Sequence, residues 1–410
     1  MTPLPRVART RVEAERMLDR LVDEFPDNPA AMSYFYDRFR DPTPPPGPRV
    51  GTLCIQVPEE LLRAAGLVPV RLCDGFYAHD QIGAELMPAK SCPLVKATLG
   101  ALQQRAGQGI DWIISPTTCD QKTKAGALIE EMGYRVHTLA MPPEKDSEEA
   151  RAFWHASVRR LAEALPRMGG RRLTSRALAQ AIRSVAAAQA QFRRLQALRR
   201  EAVVPILGKD VFLVTNAYFF DDLERWTAAV AALNDELERR RAEGFAAAQR
   251  RAPRLLFTGS PPIFPNLKLP LLIEQAGGLI VADETCSANR LLHDLAAVDE
   301  WHGEDMLEAL ADRALKPCTC PVYAGNADRR RRLLALARDH AVDGVVYQAF
   351  AGCQVYEMEY RSVAKALGEA GLPVLYVETD YAPDDLGQLS TRIEAFLESI
   401  KARKRRKAAS

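Results

Sequence analysis

The feature that most constrains the fold is a rhythm. From Gly51 onward, short apolar runs alternate with stretches that carry apolar residues at helical spacing. Gly51–Val57 (GTLCIQV), Leu67–Leu72 (LVPVRL), Ile110–Ser115 (IDWIIS) and Tyr134–Leu139 read as strands. Residues 58–65, 93–105 and 122–132 read as helices, the first two opened by a proline, which suits a first helical turn. Strands separated by helices pair in parallel, with the helices as crossovers on the faces of the sheet.

Residues 145–250 break the rhythm. They are rich in Ala, Arg, Leu and Glu and read as long helices over 147–165, 173–200 and 220–250. The arginine groups Arg159-Arg160, Arg199-Arg200 and Arg239–Arg241 read as solvated helix faces. From 253 the alternation returns, with strands over 254–257, 278–282, 342–347 and 373–378 and helices over 267–276, 328–340, 354–370 and 386–400. The expectation is an α/β fold of two Rossmann-like or flavodoxin-like parallel-sheet lobes with an inserted helical region. The expected organisation is a helical lead-in and Pro-rich linker over 1–49, an N-terminal lobe over 50–145, the helical region over 146–250, a C-terminal lobe over 251–400 and a basic tail over 401–410.

Fifty-five basic residues against fifty-three acidic ones leave a net charge of +2, which argues against a nucleic-acid binder. The exception, Lys401–Lys407 (KARKRRK), reads as a frayed, solvated tail. No apolar run reaches the roughly 18 residues a membrane helix needs, and the N-terminus lacks the apolar core of a signal peptide. No membrane association is expected, and the cytoplasm is the expected compartment.

In that compartment eight cysteines point to ligands or catalysts rather than disulfides. There is no CxxC pair. Cys119, Cys286 and Cys353 each follow a strand and precede a helix, the edge of an open α/β sheet where ligands bind and where helix N-termini favour thiolates. Cys92 precedes a helix in the same way, and Cys318 and Cys320 form a CxC in a Pro-rich loop. Cys54 and Cys73 lie within or at the ends of apolar strands and read as small core residues. A soft thiolate set of this size suits an iron–sulfur cluster or zinc. Zinc more often takes compact ligand pairs, so widely separated single cysteines fit a cluster better.

The chain resembles the 2-hydroxyacyl-CoA dehydratase and benzoyl-CoA reductase superfamily, and within it the double-cubane cluster proteins. The likeness runs from about Met32 to about Glu398. It includes Gly51-Thr-Leu-Cys54 with Val57-Pro-Glu-Glu60, Pro88 to Cys92-Pro-Leu, Thr117-Thr-Cys119-Asp, Asp283-Glu-Thr-Cys286, Cys318-Thr-Cys320, Asp343-Gly-Val-Val to Cys353, Glu378-Thr-Asp-Tyr381 and Gly387-Gln-Leu-Ser-Thr-Arg392. The resemblance implies one 4Fe–4S cluster on Cys92, Cys119 and Cys353. It implies further ligands at Cys286, Cys318 and Cys320, for a sulfide-bridged 8Fe–9S double cubane in the interlobe cleft. Relatives of this branch commonly carry Gly-Cys-Pro where this chain has Gly259-Ser260-Pro261. If that cysteine is a ligand in them, Ser260 is a substitute ligand or the second cubane is altered; if Cys318 and Cys320 both ligate, Ser260 is harmless. A cysteine-containing segment usual before the Thr117 motif is replaced by Ala106-Gly-Gln-Gly.

The resemblance also implies a mechanism. Electrons come from a separate activator, a homodimer with an actin-like ATPase fold and its own 4Fe–4S cluster. This chain has no Walker A sequence, so ATP would act on the partner. Candidate proton donors are Glu357, Glu359 and His79, with Glu284 before Cys286. The first reading is an ATP-coupled iron–sulfur reductase of a small substrate, acting as a homodimer. The alternatives are a 2-hydroxyacyl-CoA dehydratase or aryl-CoA reductase subunit, a non-catalytic electron carrier, and a zinc or metal-free protein.

Overall fold

The computed structural model describes residues 6–104 and 109–409, so Ala106, Gly107 and Gln108 of the Ala106-Gly-Gln-Gly segment lie outside the described residues. Eight strands form two four-stranded sheets, parallel throughout. The first holds β1 (Arg49–Thr52), β2 (Val68–Arg71), β3 (Ile110–Pro116) and β4 (Arg135–Leu139). The second holds β5 (Arg254–Gly259), β6 (Leu279–Glu284), β7 (Gly344–Phe350) and β8 (Val374–Thr379). The orders are β2-β1-β3-β4 and β6-β5-β7-β8, the same topology twice. In each sheet the chain reverses its direction of travel beside the first strand, which places a ligand crevice at the carboxyl ends there. β6 and β7 are buried along their whole length, as strands covered on both faces must be, and they carry no polar alternation.

The helical region packs against the second sheet. One apolar cluster joins Val185, Phe192, Trp226 and Leu233 of its helices to Phe257 and Ile280 of the sheet. Phe35 and Leu21 of the lead-in helices Arg6–Asp23 and Met32–Arg40 belong to the same cluster. A second cluster crosses between the lobes, with Leu53, Leu94 and Ile113 on one side and Ile263, Phe350 and Tyr381 on the other.

Three features differ from the sequence reading. The stretch expected as one helix over 220–250 is preceded by a fully buried helix, Gly208–Ala217, and its own helix spans Leu223–Ala242. Asp222 sets that start, because its carboxylate accepts the N–H groups of Glu224 and Arg225. Arg199 is not solvated. It is fully buried and donates to Asp283 (3.1 Å) and to the carbonyl of Ile280 (3.0 Å). The basic segment is not frayed either. The last helix runs Leu386–Ala409, and Lys404 pairs with Asp343 at 2.6 Å. Among the described residues, no helix is long and apolar enough to cross a membrane.

Candidate metal centre

Cysteines collect at the carboxyl edges of both sheets. Cys54 lies just past β1, Cys73 past β2 and Cys119 past β3. In the second lobe Ser260, Cys286 and Cys353 occupy the matching places past β5, β6 and β7. The correspondence extends to the segments that lead back into the third strand of each sheet, which carry Cys92 in one lobe and Cys318 and Cys320 in the other. Ser260 therefore stands topologically where Cys54 stands in the first lobe.

Cys92, Cys119 and Cys353 form the first group. Each is the residue that opens a helix: Pro93–Gln103, Asp120–Glu131 and Gln354–Glu369. Backbone N–H groups at such ends favour a negative sulfur. The thiols of Cys92 and Cys353 are hydrogen-bonded to each other across the lobe boundary. That bond, with the N–H groups of Val95 and Leu94, lowers the Cys92 pKa against burial, and the same bond raises that of Cys353. Cys119 is close enough for its charge to act on Cys92.

Gln121 fastens this group. Its Oε1 accepts the Cys92 N–H at 2.8 Å, and its Nε2 donates to the Gly352 carbonyl at 2.9 Å. Gly352 has φ +78° and lies against Lys90, where a Cβ would come within 2.0 Å of the carbonyl oxygen. The buried Ser260 Oγ accepts the Phe350 N–H at 2.9 Å and hydrogen-bonds to Cys353.

Cys286, Cys318 and Cys320 form a second group. Burial pushes their thiols up, to about 11, about 12 and about 12. Lys145 holds the loop that carries the CxC, donating to the carbonyls of Lys316 (2.8 Å) and Cys318 (2.7 Å) and pairing with Asp328 (2.8 Å). Gln56, from the first lobe, donates to the Cys318 Sγ at 2.8 Å. Beneath lies a buried charge network. Glu284 pairs with Arg329 and with Arg290, and Thr319 donates to it; Arg329 also meets Glu359 at 2.8 Å and Thr258 at 3.0 Å.

Cys54 and Cys73, read from sequence as core residues, share this space. The strand expected over 51–57 ends at Thr52, so Cys54 stands beyond it. Its charge acts on Cys73, Cys286, Cys318 and Cys320. Cys73 also packs against apolar neighbours, so part of its surroundings is core. Lys122 links the groups: burial opposes its charge, but Cys54, Cys73, Cys119 and Cys286 outweigh that and raise its pKa. Gln56, Gln121, Lys122, Lys145 and Arg290 were not singled out from sequence.

The four candidate proton donors fall in different places, and Glu284 is committed to Arg290 and Arg329 in the network just described. Glu357 accepts the Gly352 N–H at 2.8 Å, beside Cys353. Glu359 is buried in the arginine network, where burial raises its pKa against the pull of Arg329. His79 pairs with Asp74 at 2.9 Å, and Glu13 also acts on it. It belongs to a hydrogen-bonded set that caps the helix Tyr77–Gly83, not to the cysteine groups.

The spacing of the donors limits which metal groups they can hold. Among the described residues, the ligand atoms gathered tightly enough for a single ion are those of Glu300, His302 and Asp305, largely exposed and without a thiol. The cysteines are not drawn together on that scale. They are soft donors on separate rigid elements, with cations interleaved, which fits a polynuclear cluster whose thiolates bind different metal atoms.

The sequence profile of the family described as 2-hydroxyglutaryl-CoA dehydratase, D-component, matches residues 54–400. An Escherichia coli K12 chain named provisionally as the dehydratase subunit YjiM is 30% identical over 86% of this chain and 91% of its own length. The beta subunit of (R)-2-hydroxyglutaryl-CoA dehydratase from Acidaminococcus fermentans is 26% identical over 86% of this chain and 92% of that one. One of the subunits of benzoyl-CoA reductase from Thauera aromatica is 23% identical over 85% and 89% respectively.

Proposed function

The chain belongs to the family of the 2-hydroxyglutaryl-CoA dehydratase D-component, and from that premise we propose that it is a low-potential iron–sulfur reductase acting on a small substrate. Cys92, Cys119 and Cys353 would hold one 4Fe–4S unit. Cys286, Cys318 and Cys320 would hold a second, bridged to the first by sulfide, with Ser260 behind Cys353. When bound, the cluster supplies electrons at low potential. The observation that carries the reading is the meeting of thiols from both lobes, with the free thiols of Cys92 and Cys353 acting on each other across the boundary.

The chain's own residues supply the rest. Gln121 fixes the backbone of two cysteine loops to each other. Lys122 and Arg290 place positive charge among the thiols. Glu357, held beside Cys353, is the proton carrier best placed for that side, whereas Glu359 is committed to Arg329. The packed apolar cluster between the lobes shields Cys92 from water. Electrons would arrive from an ATP-hydrolysing activator with its own cluster, and the chain would work as a homodimer. Anaerobic reconstitution with iron and sulfide should give a reducible chromophore that Cys119→Ala weakens strongly. A chromophore equally strong in the variant would remove Cys119 from the ligand set.

A second reading is favoured by the relatives' names, which are those of acyl-CoA dehydratase and reductase subunits. Under it the chain is one component of a 2-hydroxyacyl-CoA dehydratase or aryl-CoA reductase. Titration calorimetry of the iron-loaded chain with a 2-hydroxyacyl-CoA separates the two: saturable binding that the free acid does not reproduce selects the second reading.

A further inference from the structure

Arg290 is a buried cation with a donor to spare. Its residue is 7% exposed, on the short turn Asn289–Leu292 that follows Cys286. Nε is ion-paired with Glu284 at 3.1 Å, and Nη2 donates to the Tyr356 hydroxyl at 2.5 Å. Nε and Nη1 are both buried, and neither has a hydrogen-bond acceptor among the described residues. A buried charged donor left unmade costs more than a neutral one, so its retention calls for an acceptor.

Its surroundings indicate which kind. Arg290 borders a cavity of about 50 Å³ together with Gln56, Arg71, Arg313 and Cys318. The charges of Cys286 and Cys320 act on it, and it in turn is the cation that most favours the charged form of Cys286 and Cys320. Within the protein, Glu284 and Glu359 already balance Arg290 and Arg329 pairwise. Any further negative charge gathered by ionised cysteines meets the unused side of Arg290. Gln56 is a second donor aimed at the same group, through Cys318.

We infer that Arg290 is the built-in counter-charge of the group held by Cys286, Cys318 and Cys320, and that it raises that group's reduction potential by stabilising its more negative, reduced form. The inference rests on the iron–sulfur reading above. Cation charge and hydrogen bonds to sulfur are among the means by which a protein sets a cluster's potential. Glu284 and Tyr356 hold the guanidinium in place.

The test uses the full-length chain, reconstituted anaerobically, as wild type and as Arg290→Lys, Arg290→Gln and Arg290→Met. Iron and sulfide per chain, circular dichroism and a potentiometric titration followed by electron paramagnetic resonance are measured for each. The neutral variants should keep the wild-type iron content. Their midpoint potential should fall by at least the 59 mV that corresponds to a tenfold change in a one-electron equilibrium. Arg290→Lys should recover most of the fall. Iron-loaded neutral variants with less than a twofold change in that equilibrium overturn the inference and leave the cluster reading standing. Should Arg290→Met fail to fold, Arg290→Gln decides, because its amide can still serve Glu284 and Tyr356. Collapse of both neutral variants beside an intact Arg290→Lys also overturns it, since Arg290 would then serve Glu284 alone. Wild-type protein that takes up no iron removes the iron–sulfur reading itself, and the inference with it.

Discussion

Replacing Gln121 with Met should loosen the joint between the lobes at the first cysteine group. The side chain keeps its length but loses both hydrogen bonds, 2.8 Å to the Cys92 N–H and 2.9 Å to the Gly352 carbonyl. Each bond is worth about 0.5–1.5 kcal/mol net, and each half-buried group left without a partner costs up to about 1–3 kcal/mol. Water can reach part of the site, so the sum falls at roughly 2–4 kcal/mol. The effect should be local, because it governs how often the Cys92 and Cys353 segments separate. A tenfold change per about 1.4 kcal/mol then makes Cys92 alkylate roughly 30-fold faster or more. The assay is iodoacetamide labelling of the reduced, metal-free chain, with the modified cysteine located by mass spectrometry. Cys92 is buried at 6% exposure, so labelling reports opening. A change of less than twofold at Cys92, with the fold intact by circular dichroism, would refute the claim that Gln121 holds this joint.

Three further outcomes follow from the packing. Gly352→Ala puts a Cβ 2.0 Å from the Lys90 carbonyl at φ +78°, and should lower stability in urea by about 2–4 kcal/mol; a loss under about 0.5 kcal/mol would show that the approach relaxes freely. Arg329→Met takes the paired cation from Glu359 in the interior, leaves Glu284 to Arg290, and should cost roughly 3–5 kcal/mol, with Glu359→Gln added to it recovering part; full stability in the single variant would contradict the network. Burial works against the Asp312 carboxylate, but hydrogen bonds from Arg151, Lys316 and His155 outweigh it and hold the group at about 2, below its ordinary 3.8. A depressed acid stabilises the fold above its unfolded pKa and loses that contribution as pH falls through the folded one. Asp312→Asn should therefore remove about 1 kcal/mol, after allowance for solvent screening, of the stability lost between pH 3.8 and about 2; an unchanged acid limb would refute the assignment.

Much of the architecture was legible because the relevant signals are local. Apolar runs such as IDWIIS and GLIVA, each followed by a helical pattern, fix a parallel β–α chain, and with it the place of Cys119, Cys286 and Cys353 beyond strand ends. The misreadings have physical causes. In GTLCIQV the apolar run continues past Thr52, so nothing local marks where pairing stops and Cys54 leaves the strand. The helix Gly208–Ala217 is buried on every side, so it has no polar face and no amphipathic period to announce it. Arg199 looks solvated because charge in a helical pattern usually is, and its buried acid comes from another segment. Gln121 and Gln56 find partners 231 and 262 residues away, a separation that no window of sequence covers. Such residues become visible only when the two carboxyl edges are brought together.

Whether the cysteines of both lobes hold iron and sulfide is read most directly from iron and acid-labile sulfide per chain after anaerobic purification, with Cys119→Ala alongside. A pair of cubanes gives about eight irons, falling sharply in the variant. About four irons would reduce the site to one cubane and move the acyl-CoA reading to the front. Wild-type protein without iron after reconstitution, or iron retained in full by Cys119→Ala, would contradict iron–sulfur ligation by these cysteines.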